Sequence, residues 1–447
     1  MRVALQTWGS DGDIRPFIAL GAGLVRRGHR VALCIGSIDD KEYRPLCRSL
    51  GLECVLAPER SGAELSSWMR RFGRTRNSLR MLRLLHEHAL FPAFEEMSAA
   101  AQALVADADL AVGHFLAAPL RIAAEQRGVP YATVAFWPGL VPDPGRPPER
   151  LFNAGRFSTG LWWRLAATLI DRAVGRGYRD LYQRHSAEMA SSTLASWYSP
   201  RLNLLACSKL FWPDASEEGA HRFCGPLLLP AEAEREPLPA HVEEFLARGE
   251  PPAFLTLGAT SQVDPEGCAA LLVEAARLSG LRCIVQLPPG APPPEASERL
   301  CFVERLSHAA VFPHCSAILH HGGAGTTHAA LRAGRPAVVA GFMHEQLSWG
   351  MRLEKLGAGR GVFHYPFVKP ARVAAALSSA ARDPRLLARA EELAAQLRKE
   401  DGVSTAVRLL EGAASGEGRE QVREVGGVGG VAEQRCDAED LLHRAQE

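Results

Sequence analysis

Short uninterrupted apolar runs alternate along this chain with longer stretches in which apolar residues return every three or four positions. Val3–Trp8 is one such run and predicts a strand buried on both faces; the GSDGDIRP that follows predicts a turn. In FIALGAGLVRRG, Phe17, Ile18, Leu20, Leu24 and Val25 keep a helical period, and HRVALCIG returns to the strand pattern. Strand, glycine turn, helix, strand is a βαβ unit. The second half opens the same way: AFLTLG predicts a strand, ATSQVDP a turn, EGCAALLVEAARLSG a helix and LRCIVQL a strand. SAILHH, a glycine turn, THAALRAG and PAVVAG continue the alternation. The halves share this organisation without a residue-level repeat, which predicts an α/β protein of two doubly wound domains side by side.

Proline and acidic residues concentrate between Pro226 and Pro252, which predicts a first domain over 1–225, a linker over 226–251 and a second domain over 252–412 whose final helices are expected to cross back to the first. From 413 to 447 the chain turns to glycine and charge with little to bury, the composition of a disordered tail. Trp68–Phe94 and Arg146–Arg184 interleave arginine with leucine or tryptophan. Each reads first as a solvated helical face and second as an acceptor lid or a membrane-touching surface.

Composition narrows the field. At 447 residues, with 47% hydrophobic and 23% charged, the chain is long enough for two cores. A net charge of +1 removes the electrostatic case for nucleic acid. The ten cysteines include no C-x-x-C pair and lie mostly in apolar segments, as reduced, buried thiols of a cytoplasmic protein would. The apolar run at the N-terminus is short for a signal peptide, and no segment reaches the roughly 18 apolar residues of a spanning helix.

The chemistry concentrates in SAILHHGGAGTT. A buried strand ends in two histidines, followed by a glycine turn and a helix. Gly322, Gly323 and Gly325 allow close backbone approach, and the N–H groups opening the helix suit an anion. A helix terminus contributes roughly 0.3–1 kcal/mol, up to about 2 when partly buried, so His321 and the Thr326 hydroxyl are expected to add direct hydrogen bonds to a diphosphate. After one more strand comes His344-Glu345-Gln346, again at a strand's carboxyl end. A carboxylate beside a carboxamide suits neighbouring sugar hydroxyls: Glu345 accepts, while Gln346 donates and accepts.

HHGGAGTT, followed by GxPxVxxxxxxEQ and then Trp349-Gly350, resembles the donor signature of family 1 glycosyltransferases of the GT-B fold. Bacterial macrolide and natural-product glycosyltransferases and sterol glucosyltransferases are the most alike. FVERLSHAAVFPHC, holding Val303 and Leu306, is similar to the family segment lining the nucleotide base, and GSDGDIRPFIALGAGLVRRGHRV is similar to the family's N-terminal turn. The resemblance is weakest over 60–225, where such enzymes hold the acceptor. It implies an inverting, metal-independent enzyme that moves a hexose from a UDP- or dTDP-sugar to a hydroxyl of a small apolar acceptor in the cleft between two domains.

The family places a histidine or aspartate base on the first βα turn, where this chain has Asp13; the alternative for Asp13 is a helix N-cap. Ser10, Gly12, Thr260 and His114 are further candidates, with His114 alternatively packed at a strand end. A D-x-D metal site at Asp11 and Asp13 belongs to another architecture, and a zinc site at His320, His321 and His328 lacks a supporting cysteine or carboxylate. The expected partners are a nucleotide sugar and the acceptor, with no resident cofactor and no metal. Membrane-surface contact through 68–94 and a monomer or weak dimer complete the expectation. The competing readings are a sugar-nucleotide epimerase or hydrolase on the same fold, and a degenerate transferase kept as a non-catalytic partner.

Overall fold

The computed structural model describes residues 1–38, 41–57, 72–73, 75, 77–149, 151, 155–217, 219–230, 237–365 and 367–415. Parts of the Trp68–Phe94 stretch and of the 226–251 linker, and most of the 413–447 tail, lie outside the described residues.

Two parallel sheets organise the chain. The first comprises β1 (Arg2–Gly9), β2 (Arg30–Ser37), β3 (Glu53–Leu56), β4 (Leu110–His114), β5 (Tyr131–Ala135), β6 (Asn203–Leu205) and β7 (His221–Phe223), in the order β3-β2-β1-β4-β5-β6-β7. The second comprises β8 (Ala253–Leu255), β9 (Cys283–Gln286), β10 (Leu300–Val303), β11 (Ile318–His320), β12 (Ala337–Gly341) and β13 (Gly359–His364), in the order β10-β9-β8-β11-β12-β13. Helices cover both faces, which is why β1 is buried from Val3 to Gly9 and β12 along its whole length. In each sheet the order reverses beside the first strand, between β1 and β4 and between β8 and β11. Such reversals open a crevice at the strands' carboxyl ends.

One local expectation is corrected. GSDGDIRP is helical rather than a turn from Asp11 onward, because Ser10 starts the helix Asp11–Arg26 and the Asp13 carboxylate accepts the Ser10 N–H at 2.8 Å. Pro16 is tolerated inside it at the cost of one hydrogen bond to the Gly12 carbonyl.

The helix Gly402–Ser415 follows the second sheet in sequence but packs on Asp11–Arg26. Val403, Ala406, Val407 and Leu410 share an apolar cluster with Phe17, Leu20 and Leu24, and a Cβ on Gly23 would lie 2.2 Å from Val403. A further cluster joins the halves. Cys207, Phe211 and Trp212 pack against Leu331, Trp349, Leu353 and Leu393, with the Trp212 and Trp349 rings edge to face at 4.5 Å. No helix among the described residues is long and apolar enough to cross a membrane.

Candidate active site

At the first sheet's reversal, β1 ends in Gly9 with φ +140°, and a Cβ there would sit 2.3 Å from Asp13 Oδ2. Only glycine lets the carboxylate fold back this closely. Asp13 Oδ2 accepts the Ser10 N–H and, at 3.1 Å, the Ser10 hydroxyl. Asp13 is therefore the third residue of the helix and not its cap. Its other oxygen, Oδ1, lies 3.6 Å from Nε2 of His114, which ends β4.

His114 is 2% exposed, set among Phe17, Phe115 and Phe136, and burial pushes its pKa down to about 3. Its Nδ1 accepts the Leu116 N–H at 3.4 Å, so the neutral ring carries its proton on Nε2, facing Asp13. The neighbouring Asp11 is already engaged: Tyr43 donates to it at 3.0 Å and Lys41 lies 3.2 Å away. Among the described residues no group of three or more His, Cys, Asp or Glu side chains is arranged to hold a metal ion.

At the second reversal, β11 delivers His320 and His321. His320 Nδ1 accepts the Gly322 N–H at 3.0 Å and fixes the turn, in which Gly322 has φ +89° and packs against the Gln346 carbonyl. The His321 ring lies between two glycines. A Cβ on Gly323 would fall 2.4 Å from its Nε2, and one on Gly258 2.8 Å from its Cε1. Burial pushes the His321 pKa down to about 4, with His308 adding to the effect, and its Nδ1 is buried without a partner. Gly323 starts the helix Ala324–Arg332, so the N–H groups of Ala324, Gly325 and Thr326 have no partner within that helix, and Gly325 is exposed. Uncharged hydrogen-bond donors around an open helix terminus form an anion cradle.

β12 leads into the helix His344–Lys355. Gln346 is 4% exposed; its Oε1 accepts the Phe342 N–H at 2.7 Å, while its Nε2 approaches the Thr260 hydroxyl at 3.4 Å. The carboxamide oxygen therefore serves the helix start, one amide N–H is directed at Thr260 and the other remains for a ligand, so the expectation that Gln346 also accepts from the sugar is corrected. Glu345 is partly buried. Burial first, and then the charge of Asp13, push its pKa up to about 7.

Val303 and Leu306 are each 8% exposed, packed with Phe254 and Phe312 at the carboxyl end of β10. Their side chains are core, which leaves mainly backbone groups for a base.

Sequence reasoning passed over His308 and Arg15. His308 is held neutral chiefly by burial, with Arg15 opposing and Asp11 favouring its proton from the other half. The signal was present in Arg15, a cation two residues beyond Asp13, but its neighbour is remote in sequence.

A doubly wound protein with a carboxylate at one reversal and an anion cradle at the other, both opening on one cleft, has the architecture of a GT-B glycosyltransferase. The comparisons agree. The family described as erythromycin biosynthesis protein CIII-like, C-terminal domain, matches residues 292–406. The chain is 30% identical over 431 residues to glycosyltransferase GtfC of Amycolatopsis orientalis, covering 93% of this chain and 98% of that one. It is 29% identical over 445 residues to O-mycaminosyltylonolide 6-deoxyallosyltransferase of Streptomyces fradiae, covering 92% and 97%. The solved glycotransferase of kitacinnamycin superposes with a TM-score of 0.68 at 20% identity, over 92% of this chain and 98% of that one. Glycosyltransferase SsfS6 of Streptomyces sp. SF2575, complexed with thymidine diphosphate, gives 0.62 at 21% over 92% and 99%. The chain belongs to the family 1 glycosyltransferases of the GT-B fold and is of their natural-product type.

Proposed function

We propose that this glycosyltransferase transfers a hexose, with inversion and without a metal, from a dTDP- or UDP-sugar to a hydroxyl of a small apolar acceptor. The observation that carries the reading is a carboxylate folded back at one sheet reversal, where a Cβ on Gly9 would lie 2.3 Å from Asp13 Oδ2, together with an anion cradle at the other, where the His321 ring packs against Gly323 and Gly258. In the reaction the acceptor O–H gives its proton to Asp13 as its oxygen bonds to the anomeric carbon. The bond from that carbon to the diphosphate oxygen breaks on the far side, so the configuration inverts. The departing charge falls to the N–H groups of Ala324, Gly325 and Thr326 and to His321.

Glu345 and the amide of Gln346 hold sugar hydroxyls. Ser10 orients Asp13, and the neutral His114 ring lies beside the carboxylate, its Nε2 3.6 Å from Oδ1. A sugar lacking the hydroxyls would leave buried polar groups unmatched at about 1–3 kcal/mol, which favours a hydroxylated hexose. The thymidine diphosphate bound to SsfS6 supports the dTDP alternative over the UDP one.

Thermal unfolding in EDTA with dTDP, UDP, GDP or ADP tests the reading. A nucleotide at 100 times its dissociation constant stabilises by about 2.7 kcal/mol. Stabilisation by dTDP or UDP that is lost in His321→Ala is the expected result. No shift with any nucleotide overturns the reading in favour of a non-catalytic partner, and nucleotide release that does not depend on an acceptor favours a hydrolase.

A further inference from the structure

The helix His344–Lys355 begins with the proposed sugar-binding pair, yet one face of it is held by the other half of the molecule. His344, Ser348 and Arg352 recur at every fourth position and so share a face. Trp137 packs its ring on His344 at 5.8 Å and donates its indole N–H to the Ser348 hydroxyl at 3.1 Å. Ser348 donates in turn to Glu149. Arg352 donates to Glu149 Oε1 through Nε at 3.1 Å and Nη2 at 2.9 Å, and stacks on Trp212 at 5.1 Å; the Trp212 indole N–H reaches the same oxygen at 3.3 Å. The Glu149 side chain is 7% exposed and that of Arg352 18%.

The arm that carries Trp137 and Glu149 is itself stiffened. Asp143, 5% exposed, accepts the N–H groups of Gly145 at 2.8 Å and Ser216 at 3.0 Å, and the Trp163 indole N–H is shared by the carbonyls of Asp143 and Arg146. Trp137, Glu149, Ser348 and Arg352 are not among the residues proposed to meet the sugar or the diphosphate. Its geometry fixes the rotation and height of the helix that presents Glu345 and Gln346.

We propose that Glu149 is a positioning residue: from the acceptor half it sets the donor helix, through Ser348 and Arg352, so that sugar recognition depends on contact between the halves. The proposal rests on the donor-sugar reading of Glu345 and deepens it. A buried carboxylate with four donors is costly to disturb, because removing it strands the Arg352 guanidinium.

The test is calorimetric titration of the full chain with dTDP, UDP, dTDP-glucose and UDP-glucose, in wild type, Glu149→Ala, Glu149→Gln, Ser348→Ala and Glu345→Ala. The readout is the dissociation constant of a sugar nucleotide divided by that of its bare nucleotide. In Glu149→Ala the ratio is expected to rise about tenfold while bare-nucleotide affinity stays within about threefold, the effect of a misplaced contact on the sugar alone. Glu149→Gln, which still accepts from Ser348 and Trp212, should recover part of the change.

An unchanged ratio in folded Glu149→Ala, with Glu345→Ala raising it, overturns the positioning role alone. An unchanged ratio in Glu345→Ala overturns the sugar reading and the positioning role with it, as does a wild type that binds no nucleotide. If Glu149→Ala does not fold, Ser348→Ala and Glu149→Gln carry the same comparison: a raised ratio sustains the proposal and an unchanged one overturns it.

Discussion

His114 presents Nε2 to the Oδ1 of Asp13 from 3.6 Å, while the Ser10 N–H and hydroxyl hold the opposite oxygen. Ser10 orients the carboxylate by hydrogen bonds and His114 only neighbours it, so losing the imidazole should cost less than losing the carboxylate. We expect Asp13→Asn to lower kcat by about 10²–10⁴-fold, the range of a general base, and His114→Leu by about tenfold or less. Steady-state rates with a fixed acceptor check both. Activity of Asp13→Asn within threefold of wild type would remove the base assignment.

Asp13 and Glu345 also predict a titration. The sugar-binding carboxylate changes charge near pH 7 in the free enzyme, so kcat/KM for the donor should show a step there. The step should vanish in Glu345→Gln. Burial keeps the His114 pKa down at about 3, which excludes it as the source of such a step.

The same carboxylate makes a prediction for stability. Glu345 has an ordinary pKa of 4.5 and a folded value of about 7. Between those pH values the unfolded chain gives up the proton while the native state keeps it, so stability falls as pH rises and the full cost is reached above pH 7. Allowing for solvent screening of a partly exposed group, that cost is about 1–2 kcal/mol. Glu345→Gln should therefore melt a few degrees higher than wild type at pH 8 and equal to it at pH 4. A lower midpoint at pH 8 would show that Glu345 is stabilised as a carboxylate.

Histidines act in the opposite sense. His86, His308, His321 and His328 are pushed down to about 4 by burial, and His114 to about 3, from an ordinary 6.5. Their contribution is complete above pH 6.5 and is lost as pH falls through the folded values, because the unfolded chain takes up the protons first. Each contributes a slope of up to about 1.4 kcal/mol per pH unit in that window. We expect urea midpoints to drop steeply between pH 6.5 and 4. A flat profile would mean that these rings bind protons while folded.

Gly323→Ala probes the cradle without removing a functional group. Its Cβ would meet His321 Nε2 at 2.4 Å, so the ring must swing away. Nucleotide affinity should fall about tenfold or more in both Gly323→Ala and His321→Ala, the loss of a hydrogen bond to a charged group. Calorimetry with dTDP and UDP decides this, and equal affinity in all three proteins would remove His321 from the site.

The two-sheet fold was legible because parallel strands buried on both faces leave apolar runs such as PAVVAG, and because glycine turns mark where helices begin. The start of the first helix was not, since glycine, aspartate and proline in GSDGDIRP read as a turn until Ser10 and Asp13 are seen to bond to each other. His321 and Glu345 could be singled out because each follows a strand's carboxyl end, where the backbone pattern itself is a signal, whereas Asp13 was reached through the resemblance of its turn to the family's. What His114 faces could not be read, because its neighbour lies on another strand of the sheet. Glu149 carried no signal at all, since its meaning depends on Ser348 and Arg352 in the other half.

Translation releases the first sheet well before the helix Gly402–Ser415 that completes its apolar cluster. Until Val403, Val407 and Leu410 arrive, the nascent first half lacks four of the buried apolar residues that complete its cluster around Phe17, Leu20 and Leu24, Ala406 among them. The half made first must therefore mature last. A cut at the linker would therefore leave the acceptor half with an unsealed, sticky flank and the donor half with a stray helix, so each piece would be prone to aggregate in isolation.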